Sequence, residues 1–237
     1  MSSQKLVHFE TTNWTELSQL NGPEADTALA GLCQKYWEPL YAFARKRTND
    51  VHRAQDLTQG FFQHILSKST LQQADRDRGR FRTFLLAAFK NFVSNENARL
   101  AAKRRGGDVG HVPLDFTEAE RTFLQARLDR ATPEQQFERA WTLKLIHNVM
   151  ESLRIEYQKR EQADRFALLE PFLISDSNDS RSDAAEALSL SPEAFRKAVS
   201  RLRKQFRELL KAEVGQLVHD SADVDDEIRQ MFQSLSD

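Results

Sequence analysis

The sequence predicts an all-α protein built as two helical domains joined by a linker. Three observations predict it. Only eight glycines and six prolines punctuate 237 residues, and the stretches 134–170 and 193–214 contain neither. Leu, Ala, Arg, Glu and Gln, all good helix formers, dominate those stretches. No segment alternates apolar and polar residues at the period of a strand, whereas several repeat apolar residues three and four apart.

Each element has its own signal. Over 24–47, Leu29, Leu32, Cys33, Tyr36 and Leu40 share one side of a helix, and Pro39 should bend or split it. Helices over 50–67 and 80–104 follow. Gly106, Gly107, Gly110 and Pro113 then make the first strong break, so 24–105 reads as one domain behind an extension, 1–23. Residues 106–132 read as linker, with a short helix within 114–131. Thr132-Pro133-Glu134 starts a helix running to 159, with Thr132 as N-cap and Pro133 in the first turn. Another helix spans 161–173. Residues 175–183 are a loop of capping residues, 182–189 a short helix, and Ser191 caps a long last helix over 192–213. The second domain is therefore 133–214, and 215–237 is an acidic extension with a small helix at 223–235.

Charge and cysteine usage exclude several classes. One cysteine, Cys33, permits no intrachain disulfide, and no Cys/His group has zinc spacing. No apolar run reaches the ~18 residues of a membrane span, and the amino terminus lacks a signal-peptide core, so a cytoplasmic setting is expected. The six histidines are scattered, without a nucleophile, a glycine-rich phosphate loop or a metal pair, and no enzyme, cofactor or small-molecule substrate is expected. The formal net charge of −1 hides a strong asymmetry. Charges over 76–105 and 196–211 are mostly Arg and Lys, whereas the tail after 212 is acidic. A basic patch binds phosphate even on a neutral molecule.

The segment "SDAAEALSLSPEAFRKAVSRLRKQFRELLK" has a short Ala-rich helix, a tight polar turn and a capped long helix. That is the layout of a helix-turn-helix, whose second helix enters the major groove amino end first. Phe195, Ala198, Val199, Leu202, Phe206 and Leu209 share the stripe that packs on the core. Arg196, Lys197, Ser200, Arg201, Lys204 and Arg207 fan across the opposite side. Ser191, Glu193, Arg196 and Lys197 lie in the first turns, where base edges are reached, while Arg203, Arg207 and Lys211 are better placed for phosphate. A solvated basic face on a structural helix is the alternative. The turn lacks the usual glycine, Ser189-Leu190-Ser191 standing there instead.

In "RAQDLTQGFFQHIL", Ala54, Leu57, Phe61 and Ile65 form a buried stripe. Gln55, Asp56, Gln59 and Gln63 lie opposite, bordered by Phe62 and Leu66, as on a partner-binding helix; the alternative is a surface helix whose Phe62 a neighbouring element covers. In "RFRTFLLAAFKNFVSNENARLAAKRR", Phe81, Leu85, Ala88 and Phe92 make a plausible core stripe.

Together these residues resemble a family. "HRAQDLTQGFF" resembles the signature helix of the extracytoplasmic-function (ECF) sigma factors of the sigma-70 family, commonly Asp-Ala-Glu-Asp-Leu-Val-Gln-Glu-Thr-Phe. Gly79, Phe81, Phe84, Leu85, Lys90 and Asn91 are similar to the Gly-x-Phe-x-x-Trp-Leu core and the Arg-Asn pair that follow it, and 182–210 to the fourth conserved region. The ordered set covers about three quarters of the chain. The extensions at both ends resemble a variant common among planctomycete-like bacteria. The resemblance implies a protein that binds bacterial core RNA polymerase, recognises promoter DNA at two elements and starts transcription. Gln55, Asp56, Gln59, Phe62 and Gln63 would bind polymerase. Arg82, Lys90, Asn91, Asn95, Asn97 and Arg99 would hold the melted minus-ten element, with phosphates taken by cations and extruded bases by amides. Ser191, Glu193, Arg196, Lys197, Ser200, Arg201 and Lys204 would bind the minus-thirty-five element. An anti-sigma factor or a kinase is a further implied partner; a membrane is not.

The chain departs from that pattern. Gln55 and Gly60 stand where the family often has acids, and Asn95 where an aspartate is common. Phosphorylation of Thr58 would restore charge to this helix, although Thr58 lies near the buried stripe. The acidic tail would either mask the basic last helix or pack Ile228, Met231, Phe232 and Leu235 on the last domain. Two other readings stay open. One is a helix-turn-helix regulator acting without polymerase, the other an all-helical interaction protein.

Overall fold

The computed structural model describes residues 25–67, 81–102, 114–126, 130–173, 178–215 and 221–236. Among them are nine α-helices and no strand, which is the all-α class expected. The helices are α1 Ala25–Thr48, α2 Val51–Ser67, α3 Phe81–Ala102, α4 Phe116–Ala126, α5 Pro133–Lys159, α6 Ala163–Leu169, α7 Asn178–Ala187, α8 Pro192–Gly215 and α9 Val224–Ser236. Short 3-10 turns cover Glu170–Leu173 and Ser221–Asp223.

The chain divides into two compact units. One takes the described residues up to Lys144 with those from Val214 onward, the other Leu145–Glu213. The division falls inside α5, after Lys144, whereas the sequence places the second domain from 133. The tail groups with the first unit and meets α5 at Arg139 and Thr142, within the segment the sequence assigns to the last domain, with Met231 buried and Phe232 exposed; it does not group with the basic part of α8.

In the first unit, α1 continues through Pro39 and does not split there. The lost hydrogen bond of a mid-helix proline costs ~3 kcal/mol, and packing offsets it. Pro39 is itself buried, between the buried Trp37, Leu40 and Tyr41. Asp50 caps α2, its carboxylate accepting the Arg53 N–H at 2.9 Å. Ala54, Leu57, Phe61 and Ile65 are buried as the pattern predicts. On α3 the buried stripe is Leu85, Leu86, Phe89 and Val93. Phe89, fully buried, packs with ring centroids 4.9 Å from Phe61 and 5.7 Å from Phe43. Phe92 and Ala88, assigned to the stripe from sequence, are only half-buried, and the side chain of Phe81 lies outside the described residues. Phe92 instead leans on α2 at Gly60, where an added Cβ would come within 3.3 Å of its ring.

The linker contributes α4. Phe116 sets its ring against Trp37 and Tyr41, at 5.4 and 5.3 Å. Glu120 accepts from the Tyr41 hydroxyl at 2.5 Å and from Arg45 Nε at 3.1 Å. Burial, then the Glu120 carboxylate, push the Tyr41 phenol well above its ordinary value. Thr132 and Gln135 form a reciprocal capping box at the start of α5, with Gln135 Oε1 accepting the Thr132 N–H at 2.8 Å and Thr132 Oγ1 accepting the Gln135 N–H at 3.2 Å.

In the second unit, the end of α5, α6, the Glu170–Leu173 turn, α7 and α8 enclose one core: Leu153, Tyr157, Phe166, Leu169, Phe172, Ala184, Ala185, Phe195, Ala198, Val199 and Leu202. Full burial of such side chains contributes about 1.5–3 kcal/mol each. Phe206 and Leu209, placed on this stripe from sequence, pack against it and are partly buried. The helix of 182–189 begins earlier, at Asn178. It ends as a Schellman motif, with Leu190 N–H on Ala185 O at 2.9 Å and Ser189 N–H on Glu186 O at 2.8 Å. Ser189 takes the left-handed φ of 52° that such an ending needs. Ser191 then caps α8, its Oγ accepting the Ala194 N–H at 3.2 Å.

Candidate nucleic-acid interface

The second unit carries an open groove of about 450 Å³ lined by Arg181, Phe195, Arg196, Val199, Ser200, Arg203, Lys204 and Arg207. Helical spacing sets this up. Positions 196, 200, 203, 204 and 207 of α8 share one side, and Arg181 joins them from α7. Five cations line it, and among the described residues no carboxylate does. Phe195 and Val199 form an apolar floor that also belongs to the core, which fixes the face in place.

The cations are not equivalent. Arg203 donates through Nε and Nη2 to the Phe172 carbonyl, at 3.1 and 2.8 Å. It therefore fastens α8 to the unit rather than standing ready for phosphate, as expected from sequence. Lys204 lies 3.7 Å from Glu208, an exposed pair that contributes little. Arg196 and Arg207 have no ion pair among the described residues, which leaves both guanidinium groups available to a phosphate. Lys197 pairs with Glu193 at 2.8 Å, and Arg201 donates to the Lys197 carbonyl at 3.3 Å. Of the predicted residues the groove thus gathers Arg196, Ser200 and Lys204, with Arg203 and Arg207 from those placed for phosphate. Glu193, Lys197 and Arg201 of α8, and its cap Ser191, are exposed but do not line it. Arg181 was missed by sequence reasoning, for it sits among the Ser, Asp and Asn of a stretch read as loop. The earlier start of α7 is what brings it to the groove.

On α3, Asn91, Asn95 and Arg99 are exposed and share a face at four-residue spacing. Asn97 accepts from Arg53 Nη2 at 3.1 Å, and Arg99 pairs with Glu96 at 3.3 Å. Lys90 pairs with Glu134 of α5 at 2.7 Å, and this hydrogen bond holds the Glu134 carboxyl below its ordinary value. Arg82 does not belong to an open face. It is 6 % exposed, donates through Nε to Glu138 at 3.0 Å and through Nη1 to Glu227 of α9, and lies 4.4 Å from the Trp141 ring centroid. The first turn of α3 faces the core side of the unit, which is why an exposed role for Arg82 fails.

On α2, Asp56 is exposed and Gln55, Gln59 and Gln63 are half-buried. Phe62, read from sequence as an exposed border, is 2 % exposed and packs on Phe61 at 5.8 Å. Two adjacent aromatics can both be buried here because α1 and α3 cover two sides of α2. Thr58 is fully buried and donates its hydroxyl to the Ala54 carbonyl at 2.8 Å, so a kinase has no access to it in this fold. The side chain of Leu66 lies outside the described residues.

No group of His, Cys, Asp and Glu able to hold a metal ion occurs among the described residues, and no helix there is long and apolar enough to cross a membrane. No family model, curated protein or solved structure matches the chain.

Proposed function

We propose that the chain is a bacterial RNA polymerase sigma factor of the ECF type. On this reading α7 and α8 form a helix-turn-helix that grips the minus-thirty-five element. The exposed face of α3 holds the melted minus-ten strand, and Asp56 with Gln55, Gln59 and Gln63 docks on core polymerase. The single observation that carries the reading is the groove that gathers Arg181, Arg196, Lys204 and Arg207 beside a capped helix. Its support is chemical. A row of guanidinium and ammonium groups over a rigid apolar floor suits a phosphate backbone, and the exposed amides of Asn91 and Asn95 suit unpaired bases.

Co-elution with bacterial core polymerase tests the docking half of this reading. The wild-type chain should travel with core enzyme on gel filtration, and Asp56→Ala should weaken that association. A chain that elutes alone at micromolar concentrations counts against it. For the groove, Arg196→Ala and Arg207→Ala should each weaken promoter binding and lower the dependence of log K on log salt by roughly one contact's worth.

One observation favours a second reading, a regulator that binds duplex DNA without polymerase. The burial of Phe62 removes an apolar contact expected of the docking helix. Such a regulator binds its site as tightly without core enzyme as with it.

A further inference from the structure

Three acids meet two cations along one edge of α3. Arg82 and Lys90 are two helical turns apart on α3, and Glu134 and Glu138 are one turn apart on α5. Glu134 takes Lys90 at 2.7 Å and Glu138 takes Arg82 Nε at 3.0 Å. The third acid comes from the tail, Glu227, fully buried against Arg82 Nη1. The tail helix is tied to α5 at its far end, where Arg139 Nη1 donates to the Leu235 carbonyl at 2.7 Å and Thr142 Oγ1 lies 3.3 Å from Ser234 Oγ.

We propose that α9 is an intramolecular cover that competes with single-stranded nucleic acid for the basic edge of α3. This rests on the proposed role of α3 in holding a melted strand. The attachment is built to open. Among the described side chains of α9 only Glu227 and Met231 are buried, and Phe232 is 40 % exposed. The desolvation of a buried ion pair offsets much of its attraction, which leaves Met231 as the one fully buried apolar anchor among the described side chains of α9, with Val224, Ile228 and Leu235 half-buried beside it. An element held so lightly opens far more often than the core beneath it. On opening, Arg82 keeps Glu138 on Nε and gains a free Nη1, and the acidic first turn of α9, with Asp225 and Asp226 exposed, leaves the neighbourhood. Only the open fraction binds the strand, so closure lowers the apparent affinity in proportion.

The experiment is fluorescence anisotropy with a labelled single-stranded DNA 20-mer at low salt. Met231→Asp removes the anchor and adds negative charge, so a gain cannot come from extra positive charge. The full-length variant should bind about tenfold more tightly than wild type, within the usual range of intramolecular coupling. Arg82→Gln in that background should return the affinity to the wild-type level. A folded Met231→Asp chain with no gain overturns the cover, as does a gain that survives Arg82→Gln. If Met231→Asp lowers helicity, hydrogen exchange on the wild-type chain decides instead. Adding the 20-mer should speed exchange in 224–236 while slowing it in 90–99, and unchanged exchange in the tail overturns the proposal. Initiation by wild type with core polymerase is scored separately, so the sigma reading can fail while the cover stands, or the reverse.

Discussion

Ser189 is the residue where a local rule is broken most plainly. Its φ of 52° is a region in which a side chain costs roughly 1 kcal/mol, and glycine is the usual occupant. The absent glycine looks, in the sequence, like a weakness in the turn. The backbone keeps the turn regardless, because the Leu190 and Ser189 N–H groups both find carbonyls of α7 and Ser191 starts α8 at once. Ser189→Gly should therefore raise stability by about 0.5–1 kcal/mol, read as a higher urea midpoint with unchanged slope. Arg82 teaches the opposite lesson. A cation beside aromatics reads equally well as a phosphate ligand and as a core ion pair, and only the acids of α5 and α9, 56 and 145 residues away, decide between them.

At the scale of elements, legibility followed the polarity of each helix. The burial of α8 was largely readable because its charges lie on one side and its apolar residues on the other, as was that of α2 apart from Phe62. On α3 the apolar residues run almost all round the first half, Phe84, Leu85, Leu86, Ala87, Ala88 and Phe89, so more than one stripe fits the spacing. The stripe chosen from sequence included Phe92, whereas Phe89 is the ring at the centre of the core. Phe89→Ala should cost about 3–5 kcal/mol in equilibrium unfolding and Phe92→Ala clearly less; equal losses would contradict this packing. The contact of α3 with α5 adds a pH effect. The hydrogen bond from Lys90 lowers the Glu134 carboxyl below its ordinary 4.5. A carboxyl lowered in the folded state stabilises at pH above that ordinary value, and the contribution is lost as pH falls through the folded value. Both side chains are well exposed, so the effect is small. The stability gap between wild type and Lys90→Met should be present at neutral pH and shrink as pH falls below that ordinary value.

For the whole molecule, the total charge of −1 conceals how charge is sorted. The cationic groove lies in the second unit, while the acidic tail belongs to the first and spends one carboxylate on Arg82. The helical class was legible from composition and spacing, and so were most of the groove's cations. The destination of the tail was not, because its acids have several basic segments to choose from and a chain's charge pattern does not encode distance. The central claim is that the groove of α8 and the faces of α2 and α3 serve one task, promoter-directed initiation. The most direct measurement is run-off transcription by purified core polymerase on a genomic library, with wild-type protein and with an Arg196→Ala/Arg207→Ala variant beside it. The account predicts new start sites with wild type that weaken sharply with the variant. Initiation that the wild-type protein leaves unchanged would contradict it.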